Sequence, residues 1–423
     1  MLAKKIRNTL LCLAIATLAS ACSTPCGSPG ALCAPISSVT SPAPAAAPVR
    51  APEPPPPPPA EEPETFAVPM PGTAPEQPGG TAPAAVTRIG LMLPLRSEAL
   101  GRAADAVRAG FLAAWERDRA GFEVNVIETG DAPQDVLSIY NEALKTNDIV
   151  VGPLARSAVT SLAASQAVSK PTIALNHPED RDATPLPQKM LAIGLSIEDE
   201  ARQVADMAAR DFPGGEAIIV SGGNAWQKRL AGAFAAQWQQ RGLKAKTLEL
   251  STLNGYLSDP ELVALRSRLA SEPVELLFAA LDVDQTRQLR VALNAPPLDL
   301  VPVYGTSSLN PGRALLVPGP ELDGVRLLDL PWQVQRDHPA VMVYPQPEPR
   351  DEARLSADME RLYALGIDAF RIAREITLKP GQPFKLDGVT GQLSVDFGNG
   401  PSRFQRIETP AVYKNGVPLP AGQ

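Results

Sequence analysis

The chain has 423 residues and a formal net charge of −7, which moves to about −10 once the three cations at its start (Lys4, Lys5, Arg7) are set aside. A mildly acidic chain without basic clusters in its folded part argues against nucleic acid as a partner and against an electrostatic grip on anionic lipid. All four cysteines lie at or before Cys33, so whatever folds beyond them must be stabilised by apolar burial rather than by disulfides.

The start of the chain reads as an export signal: cations, an apolar core from Leu10 to about Leu18, then the small residues Ala19-Ser20-Ala21 before Cys22. That apolar core is too short to span a bilayer as a retained helix. The run Leu18-Ala19-Ser20-Ala21-Cys22 resembles the lipobox of bacterial lipoproteins, which implies cleavage at 1–21 and acylation of Cys22. The alternative is ordinary cleavage after Ala21, which leaves Cys22 as a free or paired thiol. Acyl chains on Cys22 would hold the protein on a membrane, since each buried methylene contributes about 0.8 kcal/mol. Ser23, rather than Asp, follows the cysteine, and in such lipoproteins this implies export to the outer membrane. Two readings of Cys26 and Cys33 stand open, a disulfide in an oxidising compartment or two solvated thiols in a tail.

Residues 22–86 form a Pro/Ala-rich linker that holds 19 of the 46 prolines, including the run Pro54 to Pro59. Such a stretch neither donates backbone hydrogen bonds regularly nor buries apolar surface, so it is expected to be disordered and extended. At the rise of polyproline its contour is about 200 Å, enough for a semi-rigid spacer. A ligand for proline-binding domains is the other reading of the proline run.

From Arg88 onward the pattern alternates. Ile89 to Leu95 is a buried strand, and the helix after it places Ala103, Val107, Gly110, Phe111 and Ala114 on one face. Strands are expected at Glu123 to Glu128, Ile149 to Gly152, Thr172 to Leu175 and Leu191 to Gly194. A second series follows at Ala217 to Ser221, Thr247 to Leu250, Leu276 to Ala280 and Val301 to Tyr304. Short apolar strands separated by helices imply an α/β fold with parallel sheets covered on both faces, and two such series imply two similar lobes. Leu355, Met359, Leu362, Gly366, Phe370 and Ala373 mark a long helix. Gly391 to Phe397 and Arg403 to Tyr413 then read as a hairpin, ending at the Asn415-Gly416 turn, that joins an otherwise parallel sheet.

This arrangement resembles the type I periplasmic binding protein fold, two Rossmann-like lobes joined by three crossovers, over residues 87–423. The resemblance implies a first lobe of about 87–194 and 309–376 and a second of about 195–308 and 377–423. A more specific resemblance is to the penicillin-binding protein activator lipoproteins, the LppC/LpoA family. It is carried by Val151-Gly152-Pro153-Leu154, Pro171 to Asn176, Trp226-Gln227-Lys228-Arg229 with Ala233, Phe234 and Trp238, Leu362 to Phe370, and Leu386 to Ser394. Better known members place a helical-repeat domain ahead of this part, whereas here the proline-rich spacer stands there and no repeat of about 34 residues is found. The resemblance implies an outer-membrane lipoprotein on the periplasmic face that stimulates a bifunctional, class A penicillin-binding protein, with peptidoglycan as a further partner. It transfers no contact residues.

The residues themselves offer little chemistry. There are only two histidines: His177, at a strand end, is read as a surface residue beside Pro178 rather than a ligand contact, and His338 is given no role. No HExxH, paired-cysteine or GxSxG pattern occurs, and no carboxylate pair stands out as acid and base, so neither an enzyme nor a cofactor is expected. Candidate cleft contacts are Arg96 and Ser97 after the first strand and Arg156 and Ser157, where amino-acid-binding relatives hold a ligand carboxylate. Asn176 and the turn Ser221-Gly222-Gly223-Asn224, whose N–H groups could face an anion, complete the set. The blander reading of all of them is loop ends and helix caps. Asp259-Pro260-Glu261 reads as a helix start. Trp115, Trp226 and Trp238 are read as core, and Trp332 either as core or as facing the cleft or a partner. The rival functional reading is a lipid-anchored solute-binding protein that delivers an amino acid or similar molecule to an ABC transporter.

Overall fold

The computed structural model describes residues 86–181, 183–272, 274–312, 319–347 and 356–422; the signal segment, Cys22, Cys26, Cys33 and most of the proline-rich stretch lie outside them. The first lobe opens with β1 (Thr87–Leu93), α1 (Gly101–Arg117), β2 (Phe122–Glu128), α2 (Pro133–Thr146), β3 (Ile149–Val151), α3 (Arg156–Ala164), β4 (Thr172–Ala174) and β5 (Met190–Ala192). Its strands form a parallel sheet in the order β2-β1-β3-β4-β5. Because side chains alternate along a strand, Leu91, Val151 and Ile173 pack on one face while Met92, Val150 and Ala174 pack on the other. Both faces are therefore apolar, as a parallel sheet between helix layers requires.

The second lobe contains α4 (Ile197–Asp211), β6 (Glu216–Ser221), α5 (Ala225–Gln240), β7 (Lys244–Glu249), the small hairpin β8 (Thr252–Leu253) and β9 (Tyr256–Leu257), α6 (Asp259–Ser271), β10 (Leu276–Ala280), α7 (Val283–Ala292), β11 (Val303–Gly305) and β12 (Arg326–Asp329). Here Ile218, Leu277 and Leu327 face one layer, and Ile219, Phe278 and Leu328 face the other. The chain then runs through two single-turn helices, α8 (Pro331–Val334) and α9 (Pro339–Met342), into the long α10 (Ala357–Leu378). It closes with β13 (Phe384–Asp387), β14 (Gln392–Asp396), β15 (Arg403–Ile407), β16 (Thr409–Lys414) and β17 (Val417–Pro420).

The end of the chain differs from the sequence expectation in a way that matters for the site. Arg403 to Tyr413 is not one strand. β15 pairs with β14 in a separate antiparallel sheet, β13-β14-β15, whose Val389, Leu393 and Val395 join the first lobe's core. β16 pairs antiparallel with β12 and turns back through Asn415-Gly416 into β17, so the second sheet runs β17-β16-β12-β11-β10-β6-β7. Residues 384–407 thus pack on the first lobe, and β12, expected in the first, pairs with β11 of the second. The reason is apolar periodicity: Val325, Leu327 and Leu328 complete the second sheet's two faces, whereas Trp332, a few residues on, is fully buried in the first lobe's core beside Tyr363 (ring centroids 5.2 Å apart). Trp332 therefore does not face a cleft or a partner.

The chain passes between lobes three times: at 193–196 between β5 and α4, at Leu330 between β12 and α8, and at Glu408 between β15 and β16.

Candidate functional site

The predicted cleft residues are occupied by short-range ties. Arg96 Nη2 donates to the Glu128 carbonyl (3.3 Å), and Ser97 Oγ accepts from the Leu100 N–H (2.9 Å) just before α1. Arg156 donates to the carbonyls of Pro178 (3.2 Å) and Glu179 (3.3 Å), and Asn176 Nδ2 to that of Leu154 (3.1 Å). The fold thus brings Arg156 and Asn176 together around one loop, with Ser157 half-buried in the first turn of α3. In the second lobe Ser221 Oγ donates to the Gly222 carbonyl (2.9 Å), and the Asn224 N–H donates to Gln227 Oε1 (3.3 Å) at the start of α5. None of these residues lines the three cavities found around α4, α9 and the β13-β14-β15 sheet.

The concentrated chemistry lies instead at the crossovers. Arg361, on α10 of the first lobe, reaches into the second. Its Nη2 donates to Asp329 Oδ2 (2.8 Å) and to the carbonyls of Ser307 (3.0 Å) and Asn310 (2.9 Å), while Nε donates to Asp329 Oδ1 (3.1 Å). Asp329 is fully buried and also accepts from Asn310 Nδ2 and from the Leu330 N–H of the second crossover. Arg406, on β15, donates to the carbonyls of Ile193 (2.8 Å) and Gly194 (3.0 Å) in the first crossover and to Thr390 Oγ1 (3.1 Å). Thr390 is held in turn by Asp368 of α10. In the third crossover the Glu408 N–H donates to Gln203 of α4 (3.1 Å). Three separate sets of hydrogen bonds therefore fasten the three passages.

Burial beside these passages raises the pKa of two carboxyls, Glu200 and Glu408. Glu200, on α4, accepts from the Ser307 N–H (3.1 Å) and Oγ (2.6 Å), yet complete burial pushes it up to about 7 against Ser307 and Arg361, which favour the anion. Glu408 is raised well above its ordinary 4.5 by burial and by the nearby Glu200. Its Oε2 has no hydrogen-bond partner, a state that costs about 1–3 kcal/mol in a protein interior.

Glu200 gives the fold a pH dependence of definite sign. The folded state keeps its proton to about pH 7, whereas the unfolded chain releases it near 4.5, so the folded state binds more protons between those values and this group's contribution falls as pH rises through that window. Unfolding midpoints measured from pH 5 to pH 8 are expected to decline by an amount that Glu200→Gln removes, equivalent to roughly 1–3 kcal/mol. Parallel curves for the two proteins would contradict it.

Beside these passages a groove of about 620 Å³ runs between α4 and the β15–β16 junction. His177 lines it, half-buried rather than on the surface. Burial and the Arg181 charge lower its pKa to about 4, so at neutral pH it is uncharged. Since a carbonyl only accepts, Nε2, 3.2 Å from the Gly194 carbonyl, carries the ring proton. Among the described residues no group of three or more His, Cys, Asp or Glu side chains could hold a metal ion.

Sequence reasoning missed Glu200, Arg361, Arg406 and Glu408, though two of them left a signal. Glu200 stands on the stripe Ile197, Ala201, Val204, Ala208 of α4, and Arg361 on that of Ala357, Ala364, Leu365 and Ile372 of α10. A charge on an apolar stripe is buried and needs a partner. His338 accepts from the Ala340 N–H through Nδ1 and so caps α9, and Asp259 and Pro260 open α6. Trp238 is fully buried, with Trp115 and Trp226 packed at the core margins.

Comparison with known proteins places this architecture. The curated penicillin-binding protein activator LpoA of Aliivibrio fischeri is 25% identical over 337 residues, covering 73% of this chain and 54% of that protein. The LpoA of an Enterobacter species is 27% identical over 324 residues, covering 65% and 41%. The chain thus spans about half the length of these relatives or less. A Chromobacterium violaceum structure described as a "putative branched-chain amino acid ABC transporter" is 34% identical with a TM-score of 0.63, covering 77% of this chain and 100% of that one. The C-domain of LpoA from Haemophilus influenzae, described as a regulator of PBP1A, shares the fold with a TM-score of 0.63 at 22% identity, covering 79% and 100%. The profile of the family described as "LppC putative lipoprotein" matches residues 82–416, most of the chain, and the chain belongs to that family.

Proposed function

We propose that this protein is a lipoprotein, acylated at Cys22 and anchored in the outer membrane on its periplasmic face, that activates a class A penicillin-binding protein by direct contact and makes no or breaks no bond itself. The linker at 22–86 would supply the reach from the membrane to the synthase, and residues 87–423 the docking part. The names of its relatives support this reading. Among the described residues no helix is long and apolar enough to cross a membrane.

The observation that carries the proposal is the fastening of the two lobes. A solute-binding protein that cycles must part its lobes at low cost. Here Arg361 of the first lobe is hydrogen-bonded to Asp329 and to two carbonyls of the second beside a crossover, a buried tie that restrains movement of one lobe on the other. A body held in one shape suits a regulator that presents a fixed surface and favours the synthase's active state by binding that state more tightly. Solute binding for an ABC transporter is the second reading, favoured by the 34% identical Chromobacterium chain.

The test is a synthase assay with the full mature lipoprotein in detergent, a class A enzyme from the same organism and lipid-linked glycan precursor. Glycan polymerisation or crosslinking is expected to speed up severalfold. An unchanged rate at saturating lipoprotein would overturn the proposal.

A further inference from the structure

The dipeptide Asn-Gly occurs three times in the chain, at 254–255, 399–400 and 415–416, each time in the turn between two antiparallel strands (β8 and β9, β14 and β15, β16 and β17). This dipeptide is chemically labile, because glycine has no side chain to shield its own backbone nitrogen from the asparagine side-chain carbon. The three copies share that chemistry, so only their surroundings can make one of them react before the others.

Those surroundings differ. Gly416 is buried, and its N–H donates to Asp323 Oδ1 (2.8 Å) in a hairpin that belongs to the seven-stranded sheet. The Asn399 amide donates to the Gly381 carbonyl at the end of a three-stranded sheet. At the remaining copy Leu253, Asn254, Gly255 and Tyr256 are all exposed, and among the described residues neither the Asn254 side chain nor the Gly255 N–H has a hydrogen-bond partner. A turn with positive φ at both residues (54° and 86°) does not itself bring the two reacting atoms together, so reaction needs the turn to open. β8 and β9 are two residues each and pair only with each other, which makes theirs the least supported of the three hairpins and the first to open.

We infer that Asn254 is a site of spontaneous covalent modification, deamidation to aspartate and isoaspartate, and that the isoaspartate product frees the β8–β9 hairpin. The Gly255 nitrogen bonds to Asn254 Cγ as the Cγ–Nδ2 bond breaks. Its proton leaves with Nδ2 as ammonia, and a cyclic imide remains. Water then opens that ring: attack at Cγ gives aspartate in an ordinary backbone, whereas attack at the backbone carbonyl gives isoaspartate, whose main chain runs through Cβ and is one carbon longer. The added carbon does not fit a two-residue turn. The Gly255 carbonyl accepts from Gln285 Nε2 (3.1 Å), and Gln285 Oε1 accepts in turn from Gln227 Nε2 (2.6 Å). Both glutamines are buried and complete the capping boxes that start α7 and α5. Displacing the carbonyl leaves a buried amide short of an acceptor, so a change at the surface reaches the starts of two helices.

The experiment is incubation of the full mature protein at mildly alkaline pH, with peptide mapping by mass spectrometry at intervals and isoaspartate counted by an isoaspartate-specific methyltransferase with labelled S-adenosylmethionine. Asn254 is expected to convert severalfold faster than Asn399 and Asn415 in the folded protein, and the three rates to converge in urea. Equal rates in the folded protein, or a faster rate at either of the other two, would overturn the site. Hydrogen exchange reads the consequence: the amides of 252–257 should exchange roughly 10-fold faster in the isoaspartate form than in fresh protein. Asn254→Asp adds the charge without lengthening the chain and should leave them unchanged. Unchanged exchange in the isoaspartate form, or the same acceleration in Asn254→Asp, would overturn the release of the hairpin. Neither readout involves the synthase, so this inference and the activator reading can fail separately.

Discussion

Replacing Arg361 with alanine is expected to lower the unfolding free energy by about 3–5 kcal/mol, because a buried ion pair that loses one partner leaves the other charge uncompensated. Asp329 is fully buried and would keep only Asn310 Nδ2 and the Leu330 N–H. The Ser307 and Asn310 carbonyls would lose the same donor at once. Since Arg361 stands in one lobe and Asp329, Ser307 and Asn310 in the other, the loss is not confined to a single core. Urea unfolding should show the lower midpoint, and limited proteolysis should cut faster at the crossovers near Leu330 and Glu408. Replacing Arg361 and Asp329 together with apolar residues of similar size should restore much of the stability, since no bare charge then remains. A single variant as stable as the parent would show that the lobes are held by apolar contact alone.

The second large effect lies at the crossing of α1 and α10, where two glycines meet. A Cβ on Gly366 would sit 2.1 Å from the Val107 carbonyl oxygen and 2.8 Å from the Phe111 nitrogen, and one on Gly110 would sit 1.9 Å from the Tyr363 carbonyl oxygen. These are backbone atoms that no rotamer change can move aside, so Gly366→Ala must push the helices apart and open the edge-to-face contact of Phe111 with Phe370, now 5.4 Å between centroids. The expected cost is about 3 kcal/mol or more, at the upper end of overpacking. Gly232, exposed on α5 with nothing within 4 Å of the same position, supplies a control of opposite sign. Gly232→Ala should stabilise by about 0.5–1 kcal/mol, through helix propensity and a less disordered unfolded chain. Denaturant midpoints that move in the same direction for both variants would refute the account.

Much of the fold was legible because apolar periodicity is local. Ile89 to Leu93, Ile149 to Val151, Ala217 to Val220 and Leu276 to Ala280 are buried almost without interruption, and such runs between helices admit few arrangements other than a covered parallel sheet. The Asn415-Gly416 turn was equally visible, since positive φ at both residues is what that pair tolerates (53° and 74°). Gly366 was legible as a helix position, but its contact with α1 was not, because nothing local says which helix will lie against it.

By itself, then, the sequence determined two lobes of parallel sheet, and it also carried the lipobox-like start, on which the expectation of an anchored protein rests. Only the tertiary structure decided where the last strands go, for β14, β15 and β16 have similar alternation, and their sheet is chosen by partners distant in the chain. The site belongs to the same class of decision. Arg361 meets Ser307 and Asp329, and Arg406 meets Ile193, across separations from 32 to 213 residues. Whether a charged side chain is buried and paired, or buried and left open like Glu408, depends on the electrostatics of groups that only folding brings within a few ångströms.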